Sequence, residues 1–279
     1  MKPLPASTSD QVRRLLVGLK MARSLESLDD VVRRLEQGEL SALEAIQELL
    51  AEEFETRESR RIKMGLLTAR LTRLKTLQDY DFSFQPSLER ERILTLAQLD
   101  FIDRREVVHL LGPPGTGKTH LATALGIDAV KAGKSVYFGT LAEIIASLEK
   151  AEREGSLPTR IRFLTRNALL IVDEIGYLPL SKGGANLFFQ LVNARYERGA
   201  MILTSNRAFK EWGEIFGDNV VAAALLDRLL HHAVVIQIDG NSYRLKAHQN
   251  LLPDTLMPPQ NPDQPAPRKR RGRPRKQTQ

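Results

Sequence analysis

Apolar residues recur at steps of three and four through the first quarter of the chain. Leu15, Leu16 and Leu19 lead into Leu25, Leu28, Val31, Val32 and Leu35, and then into Leu43, Ile46, Leu49 and Leu50. That spacing predicts helix over residues 10–75. No proline interrupts the chain between Pro5 and Pro86. Residues 79–90, DYDFSFQPSLER, break the period and read as a connecting segment. From about residue 104 the pattern changes. Short β-rich runs at 107–111, 135–139, 168–172, 200–204 and 233–238 alternate with helical stretches at about 118–131, 140–153, 184–198, 208–217 and 220–231. Strands alternating with helices predict a parallel sheet wrapped by helices. The unbroken apolar character of ALLIV and AVVIQI suits strands buried on both faces.

Composition narrows the choices. The chain has 279 residues, 42% of them hydrophobic, enough for a full-sized core and a second small domain. It contains no cysteine, which excludes disulfides, thiolate metal sites and cysteine nucleophiles and fits a reducing cytoplasm. The opening MKPLPASTSD lacks the apolar stretch of a secretory signal. The longest purely apolar run, 220–226, is far short of the roughly 20 residues a membrane span needs. A soluble protein without membrane contact is expected.

The net charge of +7 is localised. Residues 268–279, RKRRGRPRKQTQ, hold seven basic residues and no acid, and without those seven the remaining 34 basic and 34 acidic residues balance. Half of the 14 prolines fall in the last 27 residues, so this end reads as an extended tether carrying a basic tail. Arg271 and Arg273, in RGRP, have the form of an AT-hook, an extended strand suited to the minor groove of A·T-rich DNA. A basic tail with no shape preference is the competing reading. A second basic run lies within 57–75, where Arg57, Arg60, Arg61 and Lys63 begin a series opposed only by Glu58. It reads equally as a solvated helix face or as a contact for a polyanion.

The candidate chemistry is concentrated after the first strand. Residues 107–119 read VVHLLGPPGTGKT, and Gly112, Gly117, Lys118 and Thr119 satisfy the phosphate-loop pattern G-x-x-x-x-G-K-[ST] between a strand and a helix. Glycines let the backbone wrap phosphate oxygens, and amides at a helix start point toward the anion. The nucleotide site is therefore expected to comprise Gly112, Pro113, Pro114, Gly115, Thr116, Gly117, Lys118, Thr119 and His120. Lys118 would neutralise the β- and γ-phosphates, and Thr119 would ligate Mg²⁺. The apolar run LLIVDE ends in Asp173 and Glu174, which places Asp173 as an Mg²⁺ ligand and Glu174 as the base for the attacking water. The strand over 200–204 leads into Asn206, an amide able to orient that water. Arg228 follows Asp227 and reads either as its local ion-pair partner or as an arginine finger supplied to a neighbouring subunit. The five histidines, His231-His232 included, show no metal-ligand spacing.

The segments LLGPPGTGKTHLATALG, LLIVDEIGYLPL, YERGAMILTSNRAFKEWGEIFGD and ALLDRLLHHAVVIQIDGNSYRL resemble, over about residues 10–250, the IstB-like helper ATPases of insertion sequences, within the AAA+ superfamily and related to the DnaC helicase loaders. The resemblance implies an AAA+ core with a five-stranded parallel sheet over 104–250, a helical DNA- or partner-binding domain over 1–78, a linker over 79–103 and a tether over 251–279. It implies ATP and Mg²⁺ as cofactors, hydrolysis at the interfaces of a homo-oligomer, assembly on double-stranded DNA and recruitment of an IstA-like transposase. Asn206 and Arg228 then become the sensor and the finger, and Arg244 a second sensor. It also implies that helices over 140–167 face DNA, through Lys150, Arg153 and Arg160, whereas the interleaved Glu143, Glu149, Glu152 and Glu154 read equally as a plain solvated helix. A DnaC-like replicative helicase loader is the alternative function.

Overall fold

The computed structural model describes residues 7–245 except Leu74. Three helices open the chain, α1 (Thr8–Gly18), α2 (Ala22–Glu36) and α3 (Ala42–Thr68). Ser7 with Asp10, and Ser41 with Glu44, form reciprocal capping boxes that fix the starts of α1 and α3. Leu28 and Val31 of α2 are buried, as is Ala45 of α3, and the Ser24 hydroxyl donates to the Leu49 carbonyl at 2.5 Å, joining the two helices. The helix expected to reach residue 75 stops at Thr68. Arg70 takes the left-handed conformation (φ 64°), the Ala69 carbonyl accepts the Phe138 amide at 2.9 Å, and Leu71 is buried in the core. Tertiary contacts, with neither glycine nor proline present, end the helix there.

The stretch expected as a linker, 79–103, belongs to the folded core. It carries a 3-10 turn at Phe82–Phe84 and the helices α4 (Arg90–Ala97) and α5 (Asp100–Asp103). Its side chains Tyr80, Leu88, Ile93, Leu96, Leu99, Phe101 and Ile102 lie in one buried cluster with Val108, Leu110 and Leu121. Its elements are too short for periodicity to reveal.

The remaining elements alternate: β1 (Val107–Leu111), α6 (Lys118–Lys131), β2 (Val136–Thr140), α7 (Leu141–Arg153), α8 (Leu157–Thr165), β3 (Leu169–Ile175), α9 (Lys182–Arg195), β4 (Ala200–Ser205), α10 (Trp212–Phe216), α11 (Asn219–Leu230) and β5 (Ala233–Gln237). All strand pairs are parallel, in the order β2-β3-β4-β1-β5. The stretch 208–217 divides into a 3-10 turn at Phe209–Glu211 and the short α10. One face of the sheet is covered by α6 and the 69–102 segment, the other by α7, α9, α10 and α11. Residues on both faces of β3 and β4 are buried, as continuous apolar runs require. Among the described residues no helix is long and apolar enough to cross a membrane.

A buried cation closes the far end of this layer. Arg195, 1% exposed, donates to the carbonyls of Leu164 (2.9 Å), Asn167 (3.0 Å) and Ala200 (2.6 Å), tying the ends of α8 and α9 to the start of β4. Burial lowers its pKa to about 10, so it remains charged at neutral pH. Arg195→Ala strands those carbonyls and should cost roughly 3 kcal/mol; urea unfolding should show the lower midpoint, whereas a shift under about 1 kcal/mol would mean that the carbonyls find other partners.

Candidate nucleotide site

The ends of β1, β3 and β4 converge on one pocket. Its wall includes the loop from Pro114 to His120, Glu174, Thr204, Asn206, Tyr243 and Arg244, and on the opposite side Lys75, Asp79, Tyr80, Asp81 and Gln85. The loop Gly112–Gly117 joins β1 to α6, and its conformation depends on glycine. Gly117 has φ 97°, and a Cβ there would lie 2.6 Å from the Tyr80 ring; Gly115 has φ 84° and is overlaid by Ser242. Tyr80 donates its hydroxyl to the Thr116 carbonyl at 3.1 Å, and the Tyr243 amide donates to the Gly115 carbonyl at 2.9 Å. The phosphate loop is therefore braced from both sides.

Lys118 is 9% exposed and turns back onto the loop, donating to the carbonyls of Gly112 (2.6 Å) and Pro113 (2.7 Å). Burial lowers its pKa to about 8, with Asp173 opposing the shift and Arg244 adding to it. The Thr119 hydroxyl donates to Asp173 at 2.9 Å, and the Thr204 hydroxyl donates to the same carboxylate at 2.5 Å. Asp173 is 3% exposed, so both hydroxyls hold a carboxylate largely removed from water. The register between β3 and β4 slips between Val172 and Ile175, a bulge that sets Glu174 at φ 63°. The Glu174 amide donates to Thr204 Oγ1 at 3.0 Å, and its side chain is left exposed at the pocket. Asn206 also lines the pocket, and its buried Oδ1 has no hydrogen-bond partner.

His120 reaches the Thr76 carbonyl at 2.8 Å and meets the Tyr80 ring edge-on, so it links the phosphate loop to the opposite wall. Arg244 stands on that pocket too. Arg228 does not. It donates to Asn193 at 3.0 Å and to Ala224 at 3.3 Å, lies 5.0 Å over the Phe189 ring, and borders a separate cleft beside Arg105, Val107 and His232.

The basic residues expected at DNA divide in two. Arg57 is engaged with Glu53 and with the carbonyls of Leu19 and Lys20, and Arg61 with Glu58 and the carbonyls of Val130 and Lys131. Arg160 bonds Ser147 and Tyr137 and lies 4.9 Å over the Phe163 ring. These three brace the fold. Arg60 and Lys63 on α3, and Lys150 and Arg153 on α7, are exposed. Arg271 and Arg273 lie outside the described residues. Sequence reasoning missed Thr204, Tyr80, Gln85 and Tyr243 as site residues. Only Thr204 carried a signal, as the polar end of a strand beside the one ending in acids.

This strand order, with a phosphate loop after β1 and paired acids ending its second neighbour β3, is that of the AAA+ class of P-loop proteins. Residues 15–250 match the sequence profile of the IstB-like ATP binding protein family, and the chain belongs to that family. The ATP-binding protein of insertion sequence IS21 from Pseudomonas aeruginosa is 47% identical over 83% of this chain and 88% of its own. The corresponding protein of insertion sequence IS232 from Bacillus thuringiensis is 42% identical over 82% of this chain and 92% of its own. Among solved structures, AMPPCP-bound DnaA from Aquifex aeolicus superposes with a TM-score of 0.52 at 20% identity, covering 65% of this chain and 55% of that one, a likeness of fold.

Two outcomes follow from the geometry. Phosphates select the protonated Lys118, whose pKa in the free protein is about 8. ATP affinity should therefore fall as pH rises, by about fivefold between pH 8 and pH 9. In Lys118→Arg the profile should be flat; calorimetric titration measures both, and a flat wild-type profile would remove the lysine as the cause. Thr204→Val removes the hydroxyl shared by Asp173 and the Glu174 amide. It should weaken Mg²⁺ binding with ATP roughly 10- to 100-fold while leaving metal-free nucleotide affinity intact.

Proposed function

We propose that this protein is an ATP-hydrolysing, DNA-binding regulator of transposition that assembles as a homo-oligomer on duplex DNA, remodels it and recruits a partner transposase. The observation carrying the reading is the state of the pocket wall. Glu174 and Asn206 line one pocket with the phosphate loop, while Arg228 is held elsewhere by α9 and α11. Residues suited to attack by water share that pocket, and Arg228, lying outside it, is available to a neighbouring copy.

On this reading Lys118 leaves the Gly112 and Pro113 carbonyls for the β- and γ-phosphates. The hydroxyl and carboxylate donors of Thr119 and Asp173 suit Mg²⁺, a hard ion that takes oxygen ligands. When bound, it would neutralise charge on the phosphate oxygens. Asn206 orients the water, and Glu174 accepts its proton as the oxygen attacks the γ-phosphorus and the bond to the β–γ bridging oxygen breaks, releasing ADP and phosphate. Arg228 of one copy meets the developing charge in the next, and Arg244 acts in its own site.

The names of the relatives support ATP as the nucleotide and an insertion sequence as the setting. Exposed Arg60 and Lys63 on α3, and Lys150 and Arg153 on α7, supply cations for phosphates, and the basic tail adds up to seven more. Leu43, Ile46, Leu50 and Phe54 form an exposed apolar stripe on α3, a surface suited to a protein partner.

Fluorescence anisotropy with long duplex and single-stranded DNA tests the proposal. Cooperative duplex binding that needs ATP and Mg²⁺, is lost in Lys118→Ala and persists without turnover in Glu174→Gln is expected. A preference for single strands would favour a helicase loader. Binding indifferent to ATP but lost in a 1–267 truncation would overturn nucleotide control.

A further inference from the structure

The neighbouring histidines at the end of α11 do not act as isolated surface residues. The turn between α9 and β4 brings Glu197 up to His231 and His232, so that one ligand atom from each residue lies within 4.8 Å of the others. The two imidazole rings are 4.1 Å apart between centroids and inclined at 56°, facing a shared space. Sequence reasoning treats adjacent side chains on a helix as divergent, but His231 is the C-cap of α11, and His232 already belongs to the turn that leads into β5.

Three features favour a cation at this place. The residues stand at the C-terminus of a 12-residue helix, where unpaired carbonyls and the negative end of the helix dipole attract positive charge. The Tyr196 hydroxyl lies 2.8 Å from His231 Nδ1, the nitrogen 4.0 Å from Glu197 Oε1, and ties that ring and the carboxylate to the end of α9. The Glu197 backbone is held in the left-handed conformation (φ 58°) while the Arg105 guanidinium donates to its carbonyl at 2.9 Å, which settles where its carboxylate starts.

We propose that Glu197, His231 and His232 form a surface site for a borderline divalent transition ion of the Zn²⁺ class. Two imidazoles and one carboxylate match the ligand types zinc takes, and imidazole donors select against Mg²⁺. Three ligands leave at least one position for water or a group from another molecule. All three ligands are exposed, so the ion can arrive directly from solvent. The site borders the cleft that holds Arg228 and shares no residue with the nucleotide pocket, so it stands or falls independently of the proposed ATPase.

The test is calorimetric titration of the full chain with ZnCl₂, without nucleotide and with excess Mg²⁺ present to occupy carboxylate-only positions. One Zn²⁺ per chain is expected, with affinity at least roughly tenfold weaker in His231→Ala, His232→Ala and Glu197→Gln. His248→Ala should bind as wild type. Absorption of the Co²⁺-loaded protein gives a second readout. Visible ligand-field bands of four- or five-coordinate cobalt with nitrogen donors should appear in wild type and vanish in the histidine variants. Zn²⁺ binding unchanged by all three substitutions, binding lost equally in His248→Ala, or no saturable binding would each overturn the proposal.

Discussion

Asp173 is a carboxylate almost wholly withdrawn from water, and a buried charge persists only where hydrogen bonds replace its hydration. Two hydroxyls do so here, Thr119 from the start of α6 and Thr204 from the end of β4. Because β4 lies between β1 and β3, Thr204 is the group that can reach from the central strand to the acid on its neighbour. The same hydroxyl oxygen accepts the Glu174 amide, and so anchors the bulge that turns Glu174 outward. One side chain thereby sets the positions of both acids. Without the extra residue of the bulge, Glu174 would continue the strand's alternation and be committed to the opposite face of the sheet.

The same economy governs the loop. Lys118 bonded to Gly112 and Pro113, and Thr119 bonded to Asp173, satisfy one another in the free protein with the groups that a nucleotide and its ion would otherwise engage. A bound triphosphate must compete with these contacts, which lowers apparent affinity but keeps the buried ammonium from standing unpaired. The braces from Tyr80 and Tyr243 act differently. They bond to carbonyls on the loop's outer side and leave its amides available to an anion. Gly117 is required because Tyr80 presses directly on it, and Gly115 because Ser242 does.

Much of this was legible in the sequence. Helix α6 and strand β1 have the expected limits, since a phosphate-loop motif between an apolar strand and a helix fixes both boundaries chemically. The five strands and the paired acids were equally plain. What the sequence concealed shares one cause, dependence on distant residues. The end of α3 is decided by Phe138 at the edge of the sheet, the 79–103 segment is held by contacts with the core, and Arg57, Arg61 and Arg160 are engaged by carbonyls and rings far along the chain. A run of positive charge in sequence cannot distinguish a cation that braces a fold from one that waits for phosphate. Partner atoms decide it: Arg57, Arg60, Arg61 and Lys63 are all exposed, but Arg57 and Arg61 are bonded to carboxylates and carbonyls.

That division also bears on how the helical front end is joined to the nucleotide-binding core. Arg57 fastens α3 to the α1–α2 connection, and one turn further Arg61 fastens the same helix to the last carbonyls of α6, the helix that begins at Lys118. α6 is nearly all buried and bears the phosphate loop at one end and the Arg61 contact at the other. The exposed cations and the apolar stripe ride on α3. Arg61, by sequence alone an ordinary part of a basic patch, thus fastens the helix that presents Arg60, Lys63 and the apolar stripe to the helix that carries the phosphate loop.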